Sequence, residues 1–312
     1  MIHPRPIVQG SRIAIITPAT QCREQYIDAA VEMLRKRGYV PKVMGHTYGK
    51  HGTYSGSIEE RTEDFRQALE DNSVDAILCS RGGYGAVHLL NGLPMQYLRD
   101  NAKWIIGFSD ISCLHALMYK AGVCSLHAPM AKGLSLSDCK EEDLASAKES
   151  REGLFAILEG DYYPKYSIPA HRYNVPGKAE GTLIGGNMAV LSALQGTPFD
   201  AFHYSNSILF IEDIGEAVYS INRMLYQMLL SDTFSTIKGL VVGQFTNYKV
   251  DTRDGLTMED MIHEFLTENG LEGQFPVAYD FPVGHVAHNI ALIEGAEVEL
   301  NVTEEKTTLN FV

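Results

Sequence analysis

Ser109 closes the segment Lys103-Trp-Ile-Ile-Gly-Phe-Ser-Asp110, an apolar, β-like run that ends on a small-residue turn and passes directly into a helical pattern. A serine so placed stands at the carboxyl edge of a sheet, where α/β proteins put their chemistry. The helix behind it, marked by Ile111, Leu114, Ala116 and Leu117, aims the N–H groups of its first turn at whatever the serine attacks. The arrangement is that of a nucleophile elbow, although Gly-Phe-Ser-Asp-Ile lacks the second glycine of Gly-x-Ser-x-Gly. The competing role for Ser109 or Asp110 is an N-cap of the same helix.

A serine hydroxyl is barely ionised at neutral pH, so it needs an imidazole to take its proton and a carboxylate to fix the imidazole's tautomer. Two other apolar runs end on such groups. Ser207-Ile-Leu-Phe-Ile-Glu-Asp213 leaves Glu212 at a strand end, and Phe281-Pro-Val-Gly-His285 leaves His285 on a turn, where loop residues more often serve function than packing. Asp213 and Glu216 compete for the carboxylate role, and His288 for the base. Arg81-Gly-Gly-Tyr-Gly85 is either a tight strand-to-helix turn that exploits glycine's freedom or a set of exposed backbone donors suited to an oxyanion, with Gly82 and Gly83 at its centre. Neither phosphate-binding glycine pattern occurs at this turn. Arg81 could hold a carboxylate with two parallel hydrogen bonds, or simply sit in a surface ion pair. His88 and His127 are expected to be packed or surface histidines. No His-x-x-x-His or His-Glu-x-x-His pattern is present, so no metal is expected.

These groups must be held by regular elements, and the first half supplies them in alternation. Apolar runs at Arg12–Pro18, Val40–Met44, Val74–Cys79 and up to Gly107 read as strands. Helical patterns fall between them. Tyr26, Ile27, Ala30, Val31 and Leu34 share one face of a helix that Gly38 ends, and Phe65, Ala68 and Leu69 share a face of a second helix with an acidic first turn. Such alternation implies parallel βαβ units and a doubly wound sheet. After about Leu126 the rhythm changes. Glu141–Leu158 reads as a charged amphipathic helix, and the segment Gly160–Gly181, rich in Tyr, Pro and Gly, as a connector or interdomain strand. Ala296, Val298, Leu300 and Val302 then alternate with polar residues, the mark of a half-exposed antiparallel strand. The expected class is α/β, with an N-terminal doubly wound, mostly parallel sheet domain over 1–159, a connector over 160–180, and a C-terminal mixed α/β domain with antiparallel strands over 181–312.

A chain of 312 residues with 45% hydrophobic content suffices for two cores. No stretch approaches the ~20 apolar residues of a membrane span. The N-terminal Met-Ile-His-Pro-Arg-Pro lacks the apolar core of a signal peptide, so a cytoplasmic location is expected. Five cysteines without Cys-x-x-Cys spacing argue against a disulfide framework. A net charge of −13 opposes nucleic-acid binding, which needs a basic face, and favours a small or peptidic ligand.

Six blocks in order are similar to those of the LD-carboxypeptidase family of serine peptidases. They are Arg81-Gly-Gly-Tyr-Gly85, Gly107-Phe-Ser-Asp-Ile111, Gly181-Thr-Leu-Ile-Gly-Gly-Asn187, Leu209-Phe-Ile-Glu-Asp-Ile-Gly-Glu216 with Ile221-Asn-Arg-Met-Leu225, Gly239-Leu-Val-Val-Gly-Gln-Phe-Thr246 and Pro282-Val-Gly-His285. The match runs from about Ile13 to Gly295. The best-known members are murein tetrapeptide carboxypeptidases, with relatives of the microcin-immunity type that cleave peptidyl or aminoacyl nucleotide analogues. The resemblance implies two domains and a Ser-Glu-His triad: Ser109 as nucleophile, Glu212 as orienting carboxylate and His285 as general base. It implies oxyanion donors on Asp110 and the Gly82-Gly83 turn, a murein-derived peptide as substrate, no cofactor, and commonly a homodimer. The chain departs from the family pattern at Leu292-Ile-Glu-Gly295, where Leu-Pro-Ile/Leu-Gly is usual, and at Asn222, where aspartate is common. A non-catalytic two-domain ligand-binding protein is the alternative of another class.

Overall fold

The computed structural model describes residues 1–136, 138–250 and 255–312. The chain forms two compact units, one of residues 1–162 with 287–295, the other of 163–286 with 296–312.

The first unit holds strands β1 (Arg12–Ile16), β2 (Val40–Val43), β3 (Val74–Cys79), β4 (Trp104–Gly107) and β5 (Ser125–His127), with helices α1 (Glu24–Lys36), α2 (Ile58–Glu70), α3 (Met95–Asp100), α4 (Ser112–Lys120), α5 (Ala131–Ser135) and α6 (Leu144–Leu158). Helix α1 buries Tyr26, Ile27, Ala30, Val31 and Leu34, the stripe expected from its spacing. Ile27, Val31 and Leu34 each contribute about 1.5–3 kcal/mol by leaving water. Helix α2 begins on a capping box in which Ser57 and Glu60 satisfy each other's backbone N–H groups. The strands lie in the order β5-β4-β3-β1-β2, all parallel. Strand order reverses at β1, since β2 lies on one side of it and β3 on the other. The loops after β1 and β3 therefore flank a topological switch point, the crevice where open α/β sheets bind ligands. The helix expected after Gly85 is a 3-10 helix, Ala86–Gly92.

The second unit holds β6 (Lys165–Pro169), β7 (Gly177–Asn187), α7 (Met188–Ser192), β8 (Ser207–Ile214), α8 (Val218–Leu230), α9 (Thr233–Thr236), β9 (Ile237–Thr246), α10 (Met258–Glu268), β10 (Val277–Ala278), β12 (Glu297–Val302) and β13 (Lys306–Phe311). Its sheet runs β10-β9-β8-β7-β12-β13-β6, with β10 to β7 parallel and the rest antiparallel. Burial alternates strictly along β12 and β13, as the period of two in the sequence requires.

The division differs from the sequence expectation in two places. Strand β11 (Leu292–Glu294) pairs antiparallel with β5 and closes the edge of the first sheet, so 287–295 belongs to the first unit. The segment expected to be a connector contains β6, which pairs with β13 in the second unit. Both follow from backbone pairing, because an edge strand must give its N–H and C=O groups to a neighbour wherever in the sequence that neighbour lies. Among the described residues, no helix is long and apolar enough to cross a membrane.

Candidate active site

In the first unit Ser109 follows β4 with φ of 66°, left-handed backbone for a side chain that has a Cβ. Such a conformation costs about 1–2 kcal/mol and persists only where surrounding structure imposes it. The residues on either side show what imposes it. At Gly107 an added Cβ would fall within 2.9 Å of the Ile111 side chain, so strand and helix meet there without room for a larger residue. The carbonyl of Gly107 also accepts a hydrogen bond of 2.9 Å from His115 Nε2. Ser125 Oγ lies 2.8 Å from His115 Nδ1, which assigns the proton to Nε2 and the hydroxyl as donor to Nδ1.

The N-cap of α4 is Ile111, and neither it nor Phe108, which precedes the short 3-10 turn, makes a side-chain cap. Ser109 and Asp110 therefore stand inside the short turn and at neither N-cap position. Instead the buried Asp110 carboxylate accepts from the N–H of Ala86 at 2.9 Å, tying the glycine-rich turn to the serine turn. Burial raises the Asp110 pKa above the usual carboxylate value, opposed by that hydrogen bond.

The turn itself is close to Ser109. A Cβ on Gly82 would lie 3.0 Å from Ser109 Cβ, 3.1 Å from the Asp110 nitrogen and 3.2 Å from Ser109 Oγ. A side chain there would crowd both residues, so the Gly82 backbone packs directly against Ser109 and the Asp110 nitrogen. Gly83 packs on Thr20, whose Oγ1 accepts from the N–H of Tyr84 at 3.0 Å. Buried Arg61 of α2 fixes both loops by donating to the carbonyls of Pro18 at 2.6 Å and Gly85 at 2.8 Å. Arg81 is exposed, and its Nη1 lies 3.3 Å from the Gln21 carbonyl. His88 accepts from Arg61, with Nδ1 3.2 Å from Nη2, and His127 is buried beside the ring of Phe108.

In the second unit His285 Nδ1 lies 2.7 Å from Glu212 Oε2. Glu212 is fully buried on β8. The pairing of β8 with β9 shifts register between Ile211 and Asp213, and such a bulge re-aims a side chain. Adjacent residues of a strand point to opposite faces, and Glu212 and Asp213 divide accordingly. Asp213 accepts from Asn187 Nδ2 at 3.0 Å and from the N–H groups of Ala189 at 2.8 Å and Ile214 at 2.7 Å. It anchors the start of α7, and burial lifts its pKa to about 6. Glu212 alone of the two reaches the imidazole. Gly284 makes this possible, since with φ of 125° its missing Cβ would stand 2.9 Å from Glu212 Oε2. His288, the competitor for the base, lies in the first unit with Nε2 3.8 Å from Glu149.

The arrangement provides an imidazole bonded to a buried carboxylate in one unit, and in the other a serine in left-handed backbone beside the Gly82 turn. Nothing in the spacing of the sequence singles out Gly284, whose role is to clear space, or Arg61, which reads as an ordinary helix arginine.

The LD-carboxypeptidase N-terminal domain model matches residues 13–128, and the LD-carboxypeptidase C-terminal domain model matches residues 180–300. The chain is 32% identical over 309 residues to the probable murein peptide carboxypeptidase of Bacillus subtilis (strain 168), covering 98% of this chain and 93% of that protein. It is 31% identical over 287 residues to the murein tetrapeptide carboxypeptidase of Pseudomonas aeruginosa, covering 90% of each. Its fold is similar to the crystal structure of muramoyltetrapeptide carboxypeptidase from Oxalobacter formigenes, with a TM-score of 0.83 at 27% identity over 96% of this chain and 98% of that one. Serine turn and glutamate–histidine pair thus fall inside the two matched regions, and the chain belongs to the LD-carboxypeptidase family.

Proposed function

We propose that this chain is a serine LD-carboxypeptidase that releases C-terminal D-alanine from murein-derived tetrapeptides, a reaction of peptidoglycan recycling. The observation that carries this is the 2.7 Å contact of His285 Nδ1 with the buried Glu212 carboxylate, in a chain whose other unit holds Ser109 in left-handed backbone at a strand–helix junction. Nδ1–H donates to Glu212, which leaves Nε2 as the acceptor a serine proton requires. Ser109 Oγ attacks the carbonyl that joins an L-centred residue, such as meso-diaminopimelate or L-lysine, to D-alanine. The imidazole takes the hydroxyl proton and passes it to the departing amine as the C–N bond breaks. Water then attacks the acyl-enzyme by the same route, releasing the shortened peptide and restoring the serine. The N–H groups of Asp110 and of the Gly82-Gly83 turn receive the oxyanion at each tetrahedral stage. No cofactor takes part in this scheme.

Mass spectrometry of a tetrapeptide panel tests the assignment. D-Alanine should be released from the L-D peptide and not from its C-terminal amide. A terminal L-alanine should be cleaved at least about 100-fold more slowly, because the wrong stereocentre displaces the carbonyl from its donors. Equal turnover of the amide or the all-L peptide would refute the proposal. Turnover confined to an aminoacyl-nucleotide analogue would move it to the microcin-immunity type, and failure of a fluorophosphonate to label Ser109 would favour a non-catalytic binding protein.

A further inference from the structure

The carboxyl edge of the first sheet carries more than the serine. Arg23 follows β1, Arg81 follows β3, Ser109 follows β4 and Lys132 follows β5, so three cations share the edge that bears the proposed nucleophile. Two adjoining depressions open among them, both walled by Arg23 and Arg81. The larger, about 510 Å³, is also lined by Gln21, Glu24 and Lys50. The smaller, about 280 Å³, is completed by Tyr26, Lys132 and Asp138. The guanidinium of Arg23 and the ammonium of Lys132 each stand 5.9 Å from the centre of the Tyr26 ring.

Charge is not balanced there. Glu24 is committed to Lys50 at 3.1 Å, and Asp138 accepts from the Tyr26 hydroxyl. Among the described residues, Arg23, Arg81 and Lys132 form no ion pair, whereas Arg37, Lys42 and Arg66 of the same unit do. In a chain of net charge −13, whose overall field repels anions, a local surplus of cations at a ligand-binding edge is functional in character. Three cations also exceed what one terminal carboxylate can use.

The geometry points to a cationic shelf, formed by Arg23, Arg81 and Lys132, that binds the side-chain carboxylates of an acidic peptide while its scissile bond lies at Ser109. This rests on the carboxypeptidase function proposed above and names the class of peptide: one with at least one ionised carboxylate upstream of the C-terminus. Guanidinium and ammonium donors make charge-assisted hydrogen bonds to such groups, and a neutral amide at the same place leaves the donors unpaired.

The test compares a tetrapeptide bearing free side-chain carboxylates with the same peptide amidated only at those groups, its C-terminus left free. Wild-type enzyme should show a KM about tenfold or more lower for the acidic peptide. In the Arg23→Gln/Lys132→Gln double variant, and again in Arg81→Gln, that preference should fall toward unity. Calorimetric binding of the acidic peptide to the intact chain, with turnover blocked by Ser109→Ala, should weaken by the same factor when the cations are replaced. If turnover proceeds but all forms treat the two peptides alike, the shelf is wrong and the carboxypeptidase function stands. If wild type cleaves neither peptide yet binds the acidic one through the three cations, the shelf stands and the carboxypeptidase function falls.

Discussion

The Nδ1 atom of His285 is 2.7 Å from Oε2 of Glu212, with the glutamate wholly buried and the imidazole 15% exposed. A buried carboxylate bonded to one ring nitrogen can fix the orientation of an imidazole. Glu212→Gln keeps the shape but can donate to Nδ1, favouring the wrong tautomer. Turnover should fall on the order of a thousand- to ten-thousand-fold with KM changed only a few-fold and circular dichroism unchanged. Retention of a tenth of wild-type kcat would exclude an orienting role.

Ser109 holds φ of 66°, and its two simplest replacements should separate strain from chemistry. Ser109→Ala and Ser109→Gly both abolish hydrolysis. Glycine accepts left-handed backbone and alanine does not, so the glycine variant should be the more stable by up to about 1 kcal/mol after its greater unfolded-state entropy is counted. Chemical denaturation of the two proteins checks this, and an alanine variant equal to or above the glycine variant contradicts it.

Gly82→Ala tests the glycine-rich turn. The new methyl would stand 3.1 Å from the Asp110 nitrogen and 3.2 Å from Ser109 Oγ. We expect kcat to fall about 100-fold or more through displaced reacting groups, with a stability loss of about 1–3 kcal/mol from overpacking. Kinetics alongside thermal melting distinguishes this from a turn that matters only for folding, for which activity per folded molecule would be retained.

His115 gives the fold an acid-sensitive brace beneath the serine. Complete burial lowers its pKa to about 4 from 6.5, partly opposed by its bond to the Gly107 carbonyl. Glu294 Oε1 lies 4.0 Å from Nε2, at the limit of an ion pair, and burial outweighs it. The unfolded chain therefore binds the proton first. The stability held by the neutral ring is complete above pH 6.5 and is lost as pH falls through about 4, a contribution on the order of 3 kcal/mol. His115→Gln should flatten the stability–pH curve across that window. A slope unchanged from wild type would show that His115 does not carry it.

Much of the first sheet was legible because a buried parallel strand is a run of apolar residues and its helix repeats on a different period. Val74–Cys79 is a strand with the bounds expected, and the buried face of α1 is the predicted one. Helix α10 went unmarked, although Thr257 and Asp260 form its capping box; Asp260 is a less common third residue of that motif than Glu or Gln. The segment of β6 reads as a connector or interdomain strand and β11 carries no mark, since the pairing of each is with a partner far along the chain.

Local pattern picks out the candidates: a serine, a glutamate and a histidine, each where an apolar run ends, in six blocks whose order marks the family. Spacing alone leaves Asp213 and Glu216 as competitors of Glu212, because three carboxylates within five positions have the same intrinsic chemistry, and the family resemblance points to Glu212. The fold gives Glu212 and Asp213 different partners. Alternation along β8, with a bulge, sends Glu212 to His285 and Asp213 to the start of α7. It also gathered Arg23, Arg81 and Lys132, which stand far apart in sequence and meet because loops that follow parallel strands emerge at one edge of a sheet. A local pattern fixes which residues can do chemistry, whereas burial and strand pairing fix which of them face one another.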